Sequence, residues 1–177
     1  PYPYVVKIQG KVKELIAQHR SSVFDTWLEQ DKISCLPNYA LPAVISPTAF
    51  TSMVPKSLYT AEEDMNEYEF KVVWALSELG NVKWWHRNIS RLGFQINGPV
   101  HAYPDIIVML HSGKILMVET KGDHLDNDES KEKAKIGDQW AKLAGKQYKY
   151  YMVFETKQPD YPGAYSLERF MEIVNGL

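Results

Sequence analysis

The chain has only one cysteine, Cys35, and this scarcity limits the kinds of site that it can build. A single thiol excludes an internal disulfide and a cysteine-based zinc site, and it fits a reducing compartment such as the cytoplasm. No apolar run approaches the roughly 20 residues of a membrane-spanning helix, so we expect no membrane partner. A glycine-rich phosphate loop and a nucleophile elbow are also missing, which excludes a P-loop motor within these residues.

An excess of positive charge is missing as well, which argues mildly against a large basic surface for nucleic acid. The chain has 20 Lys and Arg against 22 Asp and Glu, so its formal net charge is −2. A local basic patch remains compatible with this balance. The 177 residues, 45% of them hydrophobic, suffice for one globular domain and an appendage. Because Pro1 stands where a Met would begin a protein, we expect a piece of a longer polypeptide, although processing would give the same start.

Two regions differ in their sequence pattern. Residues 1–59 are predicted to form a helical segment and a proline-containing linker, and residues 60–177 a separate domain. Between residues 5 and 29 the apolar side chains recur at helical spacing, which predicts one long amphipathic helix or two helices broken near residues 20–22. The stretch 34–59 has no clear periodicity and carries four prolines: Pro37, Pro42, Pro47 and Pro55.

The second region is predicted to be an α/β domain. Its first helix, 60–79, begins at Thr60 with acidic residues in its first turn and ends before Gly80. Strands are predicted at 82–88, 103–110 and 114–121, with a further short strand at 94–96. A helix at 129–144, a strand at 147–155 and a terminal helix at 167–174 follow. The main order αβββαβ predicts a mixed central sheet flanked by helices.

Charged residues stand at the ends of two apolar strands that Ser112 and Gly113 join. Side chains alternate along a strand, so Glu119 and Lys121 share a face. In an antiparallel hairpin Asp105, at the start of the first strand, should lie beside Glu119, at the end of the second. Two adjacent carboxylates repel unless a cation lies between them, and a hard divalent ion prefers such oxygen ligands.

Lys121 would orient the attacking water or neutralise charge that develops on a phosphate, and the backbone carbonyl of Thr120 could add a metal ligand. The alternative is an ordinary hairpin in which Asp105 pairs with Lys121 and Glu119 is solvated.

Two further charged residues lie on apolar helix faces. Glu69 falls on the stripe of its helix between Met65 and Val72, where an acid costs free energy unless it is paired or binds a metal. It could instead reach water at the edge of the core. Lys133 lies in line with Ile136 on the second helix and could contact a phosphate, although a surface lysine with a packed stem would look the same.

The string Trp84-Trp85-His86-Arg87-Asn88 combines aromatic rings with groups that can bind phosphate. We expect Trp85, Arg87 and Asn88 to contact DNA, because aromatic rings stack on bases and Arg or Asn donates hydrogen bonds to the backbone. The alternative for the tryptophans is packing, with one ring under the sheet and the other shielding it.

These motifs together resemble the PD-(D/E)xK nuclease superfamily: a helix with Glu69, then Pro104-Asp105, then Glu119-Thr120-Lys121-Gly122, then a helix and a strand. The longer strings are similar to the C-terminal nuclease region of type III restriction enzyme restriction subunits. They are Met65-Asn66, 84–88, 103–108, and Lys133 through Gly137 to Trp140. The resemblance covers about residues 56–155.

The resemblance implies a restriction-endonuclease-like core that hydrolyses DNA phosphodiester bonds with Mg²⁺, for which Mn²⁺ can substitute. Asp105 and Glu119 would hold the ion, Lys121 would assist the attack, and Glu69 would support the metal directly or through water. Double-stranded DNA, an upstream ATP-driven helicase region and a modification subunit are the implied partners, with ATP used only by that motor. The alternatives are a non-catalytic nucleic-acid-binding or docking module and a standalone repair or junction-resolving nuclease.

Overall fold

The computed structural model describes residues 2–49 and 54–177, and it shows an α/β fold with a helical N-terminus. Residues 50–53 of the predicted linker, and Pro1, lie outside the described residues. The helices are α1 (Pro3–Glu29), α2 (Glu67–Glu78), α3 (Asp128–Ala144) and α4 (Leu167–Asn175). The strands are β1 (Val82–Arg87), β2 (Ile106–Leu110), β3 (Ile115–Lys121), β4 (Tyr148–Phe154) and β5 (Ala164–Ser166).

The five strands form one mixed sheet in the order β1-β2-β3-β4-β5. Neighbouring strands are antiparallel from β1 to β3 and parallel from β3 to β5. The antiparallel half consists of meander connections, whereas α3 carries the chain from β3 back to the start of β4. This arrangement confirms the predicted mixed sheet flanked by helices, and it contains the order αβββαβ between α2 and β4.

Each face of the sheet is covered by helices because the inner strands are apolar on both sides. One core lies between the sheet and the helices α2 and α4, with residues such as Val72, Leu76, Val108, Val118 and Phe170. The other lies between the sheet and α3, with residues such as Ile107, Met117, Ile136, Trp140 and Met152. Adjacent β3 residues alternate between these cores, as Met117 and Val118 show.

The predicted start of the first domain helix, Thr60, is wrong. Helix α2 begins at Glu67 because Asn66 caps it: the Asn66 side chain accepts a hydrogen bond from the Glu69 N–H, and the Glu69 side chain accepts one from the Asn66 N–H. This reciprocal capping box satisfies two backbone donors at once. The acids Glu62 to Asp64 therefore belong to the preceding irregular segment.

Three other elements differ from the prediction. The short strand at 94–96 is absent, since only one isolated bridge joins Ile96 to Ala102. Strand β2 begins at Ile106 rather than residue 103, which leaves Asp105 immediately before it. The three-residue β5 was missed because it is too short to show a period. Of the two possibilities for the N-terminus, the structure has one unbroken helix, α1.

Among residues 2–49 and 54–177, no helix is both long enough and apolar enough to cross a membrane.

Candidate active site

The β2–β3 hairpin brings Asp105 against the end of β3, as the strand pattern predicts. Gly113 turns the chain with a φ of 83°, a left-handed conformation that favours glycine. The hairpin register pairs Ile106 with Val118, so Asp105 lies beside the next residues of β3. Its Oδ2 atom accepts hydrogen bonds from the backbone N–H of Thr120 at 2.7 Å and from the Thr120 hydroxyl at 2.9 Å. Thr120 therefore fixes the orientation of this carboxylate.

Glu119 is a buried acid with one unpartnered oxygen. The residue is 4% exposed, and its Oε1 atom accepts a hydrogen bond from Lys121 Nζ at 2.7 Å. Its Oε2 atom is buried and has no hydrogen-bond partner in the described part of the chain. Burial and then the negative charge of Asp105 raise the pKa of Glu119 to about 7, although Lys121 opposes the shift. A proton or a cation at Oε2 would relieve this unfavourable state.

Lys121 remains a cation at this site. Burial alone would lower its pKa, but the charge of Glu119 and the hydrogen bond to it, with a contribution from Asp105, leave the pKa above its ordinary value. Its ammonium group is consequently protonated at neutral pH, so Lys121 can donate hydrogen bonds and supply positive charge but cannot accept a proton there.

The two carboxylates suit a small divalent cation. Glu119 offers the unpartnered Oε2, and Asp105 offers Oδ1, whose distance of 3.5 Å from Arg87 is at the outer limit of a hydrogen bond. Across residues 2–49 and 54–177, no group of three or more His, Cys, Asp or Glu is arranged to hold a metal. Mg²⁺ commonly uses only one or two carboxylates and fills its other positions with water and phosphate oxygens. The donors present therefore fit Mg²⁺ better than a metal that needs an all-protein cage.

Glu69 reaches the site from the opposite face of the sheet, through Arg87. One Glu69 oxygen accepts the capping hydrogen bond of Asn66 and the other accepts from Arg87 Nη2 at 2.9 Å. Arg87 Nη1 donates in turn to the backbone carbonyl of Asp105 at 2.8 Å. Burial raises the pKa of Glu69, and Arg87 partly offsets that effect. Both Glu69 oxygens are thus engaged, and the residue supports Asp105 by holding Arg87.

Trp85 and Asn88, two of the residues expected to contact DNA, are buried in the structure. The Trp85 ring is fully buried in the core under α2 and donates from Nε1 to the Pro55 carbonyl at 2.8 Å. The buried Asn88 amide donates to the carbonyls of Phe94 and Pro104 at 2.9 and 2.7 Å and accepts from the Phe94 N–H at 2.7 Å. Neither side chain can reach DNA, and Asn88 instead fixes the loop that carries Asp105.

Lys133 lies near the acids, on α3. Its ammonium group is 2.9 Å from Glu129 Oε1, one helical turn away, and its side chain is 21% exposed. The charge of Lys133 lowers the pKa of Glu119, which places it within electrostatic range of the site. Of the four predicted DNA-contacting residues, Lys133 combines a position near the acids with a partly exposed cation; Arg87 is committed to Glu69 and Asp105.

Tyr150, on β4, was missed by the sequence reasoning. Its hydroxyl is buried without a hydrogen-bond partner in the described residues, and its ring packs on Gly137 of α3. Burial raises the pKa of Tyr150, and the charges of Glu119 and Asp105 add to the shift. A signal existed in the sequence: glycine inside a helix is costly unless another group approaches the backbone closely, and a Cβ at Gly137 would lie 2.3 Å from the Tyr150 ring.

A second buried acid, Glu62, was also missed because it was assigned to a helix. It lies 2.9 Å from His86 Nδ1 and accepts hydrogen bonds from the Arg87 N–H at 3.1 Å and the Ser57 hydroxyl at 2.9 Å. The cluster anchors the segment before α2 on β1. His86 and Arg87 lie 24 and 25 residues from Glu62 in the chain, so no local pattern could have revealed these two contacts.

No family model, curated protein or solved structure matches this chain. The geometry of the site therefore carries what can be inferred about its chemistry.

Proposed function

We propose that this chain is a Mg²⁺-dependent DNA endonuclease domain with the restriction-endonuclease-like core of the PD-(D/E)xK superfamily. One observation carries the proposal: the buried, unpartnered Oε2 of Glu119 beside Asp105 and Lys121. An unsatisfied buried carboxylate costs free energy, and such costs concentrate at functional sites. A divalent cation and a phosphate would satisfy it.

Asp105 and Glu119 would hold the ion, which supplies Lewis-acid stabilisation of the phosphate charge when bound. Thr120 and Arg87 orient the Asp105 carboxylate and its backbone from two sides. They are positioning residues in this scheme. The backbone carbonyl of Thr120 stays a predicted metal ligand. The observed contacts of Thr120 with Asp105 are made by its N–H and its hydroxyl instead.

Lys121 would orient the attacking water and stabilise negative charge on the phosphate oxygens. Its raised pKa favours this electrostatic role over proton abstraction. Lys133 would contact a neighbouring phosphate after leaving Glu129, since a surface ion pair one helical turn apart is worth less than about 1 kcal/mol.

The longer strings favour a type III restriction-type helicase–nuclease as the parent, acting in the cytoplasm on double-stranded DNA. The motor would use ATP, and a modification subunit would supply recognition. With a net charge of −2, this chain would depend on those regions for much of its DNA affinity.

The first test is calorimetric titration of Mn²⁺ into the wild type, Asp105→Ala and the control Glu78→Ala, an exposed acid at the end of α2. We expect saturable binding in the wild type and control and none in Asp105→Ala. Plasmid cleavage by the wild type, lost in Lys121→Ala with metal binding retained, would then establish the hydrolysis. Absence of Mn²⁺ binding in the millimolar range, in the presence and absence of a DNA duplex, would refute the proposal.

A non-catalytic docking or nucleic-acid-binding module is the second candidate. The Glu119–Lys121 ion pair at 2.7 Å and the full engagement of Glu69 favour it, because they satisfy much of the charge without a metal. Such a module would bind a DNA duplex equally well with and without Mn²⁺ and would leave it intact. A standalone junction-resolving nuclease would instead bind Mn²⁺ and prefer branched over linear duplexes.

A further inference from the structure

The Tyr150 hydroxyl and the Glu119 Oε2 atom are both buried, and neither has a hydrogen-bond partner among residues 2–49 and 54–177. Each of the two residues is 4% exposed. A buried hydroxyl without a partner costs free energy that a phenylalanine at the same position would avoid. In native proteins, ordered water or an ion explains many atoms of this kind. Both atoms therefore indicate contact with a small polar species.

The register of the sheet places Tyr150 and Glu119 on the same face of neighbouring strands. Strands β3 and β4 are parallel, and Tyr150 pairs with Met117, two residues before Glu119. Met117 and Tyr150 belong to the core under α3, so Glu119 faces that side as well. Glu119 lies about 7 Å further along the strand direction, and side chains in strands lean along that direction. A tyrosine side chain can span this distance.

The Tyr150 ring packs against the backbone of α3 at Gly137. A Cβ added there would lie 2.3 Å from Cδ1 and 2.4 Å from Cε1 and Cγ of the ring, so only glycine leaves room for it. Besides burial, the charges of Glu119 and then Asp105 raise the pKa of Tyr150, which places the hydroxyl within electrostatic range of both carboxylates. The hydroxyl keeps its proton at neutral pH and is available as a hydrogen-bond donor.

We propose that Tyr150 is a positioning residue for the Glu119 carboxylate and acts through one water molecule. The water accepts a hydrogen bond from the Tyr150 hydroxyl and donates one to Glu119 Oε2. A bridging water is nearly as favourable as a direct hydrogen bond, and it satisfies both buried atoms at once. A carboxylate oxygen has two lone pairs, so Oε2 can accept this hydrogen bond and still bind a cation.

The effect of Tyr150 on metal affinity rests on the proposed function, in which Glu119 holds Mg²⁺. Groups that orient a metal ligand by hydrogen bonding commonly contribute about 10- to 100-fold to metal affinity. Loss of the Tyr150 hydroxyl should therefore weaken metal binding although the hydroxyl itself does not hold the ion.

Calorimetric titration of Mn²⁺ into the wild type and Tyr150→Phe tests this effect. The variant removes only the hydroxyl, and we expect its Kd for Mn²⁺ to be about tenfold higher. The matched control is Tyr148→Phe, on the same strand and face, where the hydroxyl donates to the Pro37 carbonyl at 3.2 Å. Tyr148 pairs with Ile115, at the opposite end of β3 from the acids, so the control should bind Mn²⁺ like the wild type. A wild type that binds Mn²⁺ and a Tyr150→Phe variant with the same Kd would overturn the proposal.

A double-mutant cycle in chelator tests the contact between Tyr150 and Glu119 without metal. The free energy of unfolding is measured in urea for the wild type, Tyr150→Phe, Glu119→Gln and the double variant. We expect non-additive effects in this cycle and additive effects when Tyr148→Phe replaces Tyr150→Phe. Additive effects in the first cycle would overturn the proposal whatever the metal titration shows. Non-additive effects in a protein that binds no Mn²⁺ would refute the proposed function and support the contact.

A crystal structure of the metal-free protein tests the water itself. We expect electron density for an ordered water within about 3 Å of both the Tyr150 hydroxyl and Glu119 Oε2. A structure in which both atoms bind other protein groups instead would overturn the proposal.

Discussion

The buried carboxylate of Glu119 should make the metal-free protein less stable as pH rises from about 5 to 7. Folded Glu119 keeps its proton until about pH 7, whereas the unfolded side chain loses it near the ordinary value of 4.5. Between these values the unfolded state binds fewer protons than the folded state, so the free energy of unfolding falls with increasing pH and becomes level above 7. In Glu119→Gln this contribution is absent.

The magnitude follows from the size of the pKa difference. A shift from 4.5 to about 7 corresponds to about 3 kcal/mol of stability lost across the interval. Urea unfolding of the wild type and Glu119→Gln, measured in chelator between pH 5 and 8, gives the two curves. The difference between the two curves is the relevant quantity, because the pH-dependent contributions that both proteins share cancel in it. Removing the charge opposite Lys121 adds an offset to this difference.

Parallel stability curves for the two proteins would refute the reasoning, since they would show that Glu119 is solvated or already ionised in the fold. The proposed Mg²⁺ site provides an internal check. Adding Mg²⁺ at pH 8 should raise the free energy of unfolding of the wild type, because an ion bound by the folded state stabilises it, and should leave Glu119→Gln nearly unchanged.

Two further substitutions test the frame around the acids. Arg87→Ala removes the bridge between α2 and the start of β2 and leaves Glu69 buried without its cation, so we expect the free energy of unfolding to fall by about 2 kcal/mol. Arg87→Lys keeps the charge and should lose less stability. Equal losses in the two variants would show that the two-sided hydrogen bonding of the guanidinium group contributes nothing. Gly137→Ala places a Cβ 2.3 Å from the Tyr150 ring and should cost about 1–3 kcal/mol, whereas Gly80→Ala, with nothing within 4 Å, should be neutral; a neutral Gly137→Ala would mean that the ring moves freely.

The hairpin at the centre of the site was predictable because its signals are local. Apolar runs of strand length, a Ser-Gly turn between them and charged residues at matching ends fix both the register and the meeting of Asp105 with the end of β3. The alternation of side chains along β3 gave the shared face of Glu119 and Lys121, and the structure joins them by a hydrogen bond.

The roles of the residues around the hairpin were not predictable from the same rules. A strand residue can face either core. Periodicity shows that Trp84 and Trp85 face opposite sides, but it does not show that Trp85 packs under α2 and Trp84 against the other core. Asn88 is equally suited to bind a phosphate or a backbone carbonyl, and only the folded path of residues 88–104 selects the second. Glu69 belonged to a capping box whose Asn66 partner was visible in the sequence, but the acids before it obscured the helix start.

The charged residues of the site lie on both faces of the sheet, and they have different hydrogen-bonding environments on the two faces. On the α3 face, Lys121 donates a hydrogen bond to Glu119 but leaves one oxygen of this carboxylate without a partner. On the α2 face, Arg87 donates hydrogen bonds to Glu69 and to the backbone carbonyl of Asp105. A carboxylate that repels its neighbour can keep its position only if the surrounding contacts outweigh the repulsion. Substitutions on the two faces should therefore have opposite effects on stability. Loss of the Arg87 bridge should destabilise the fold, whereas neutralising Glu119 should stabilise it at high pH while removing a proposed metal ligand.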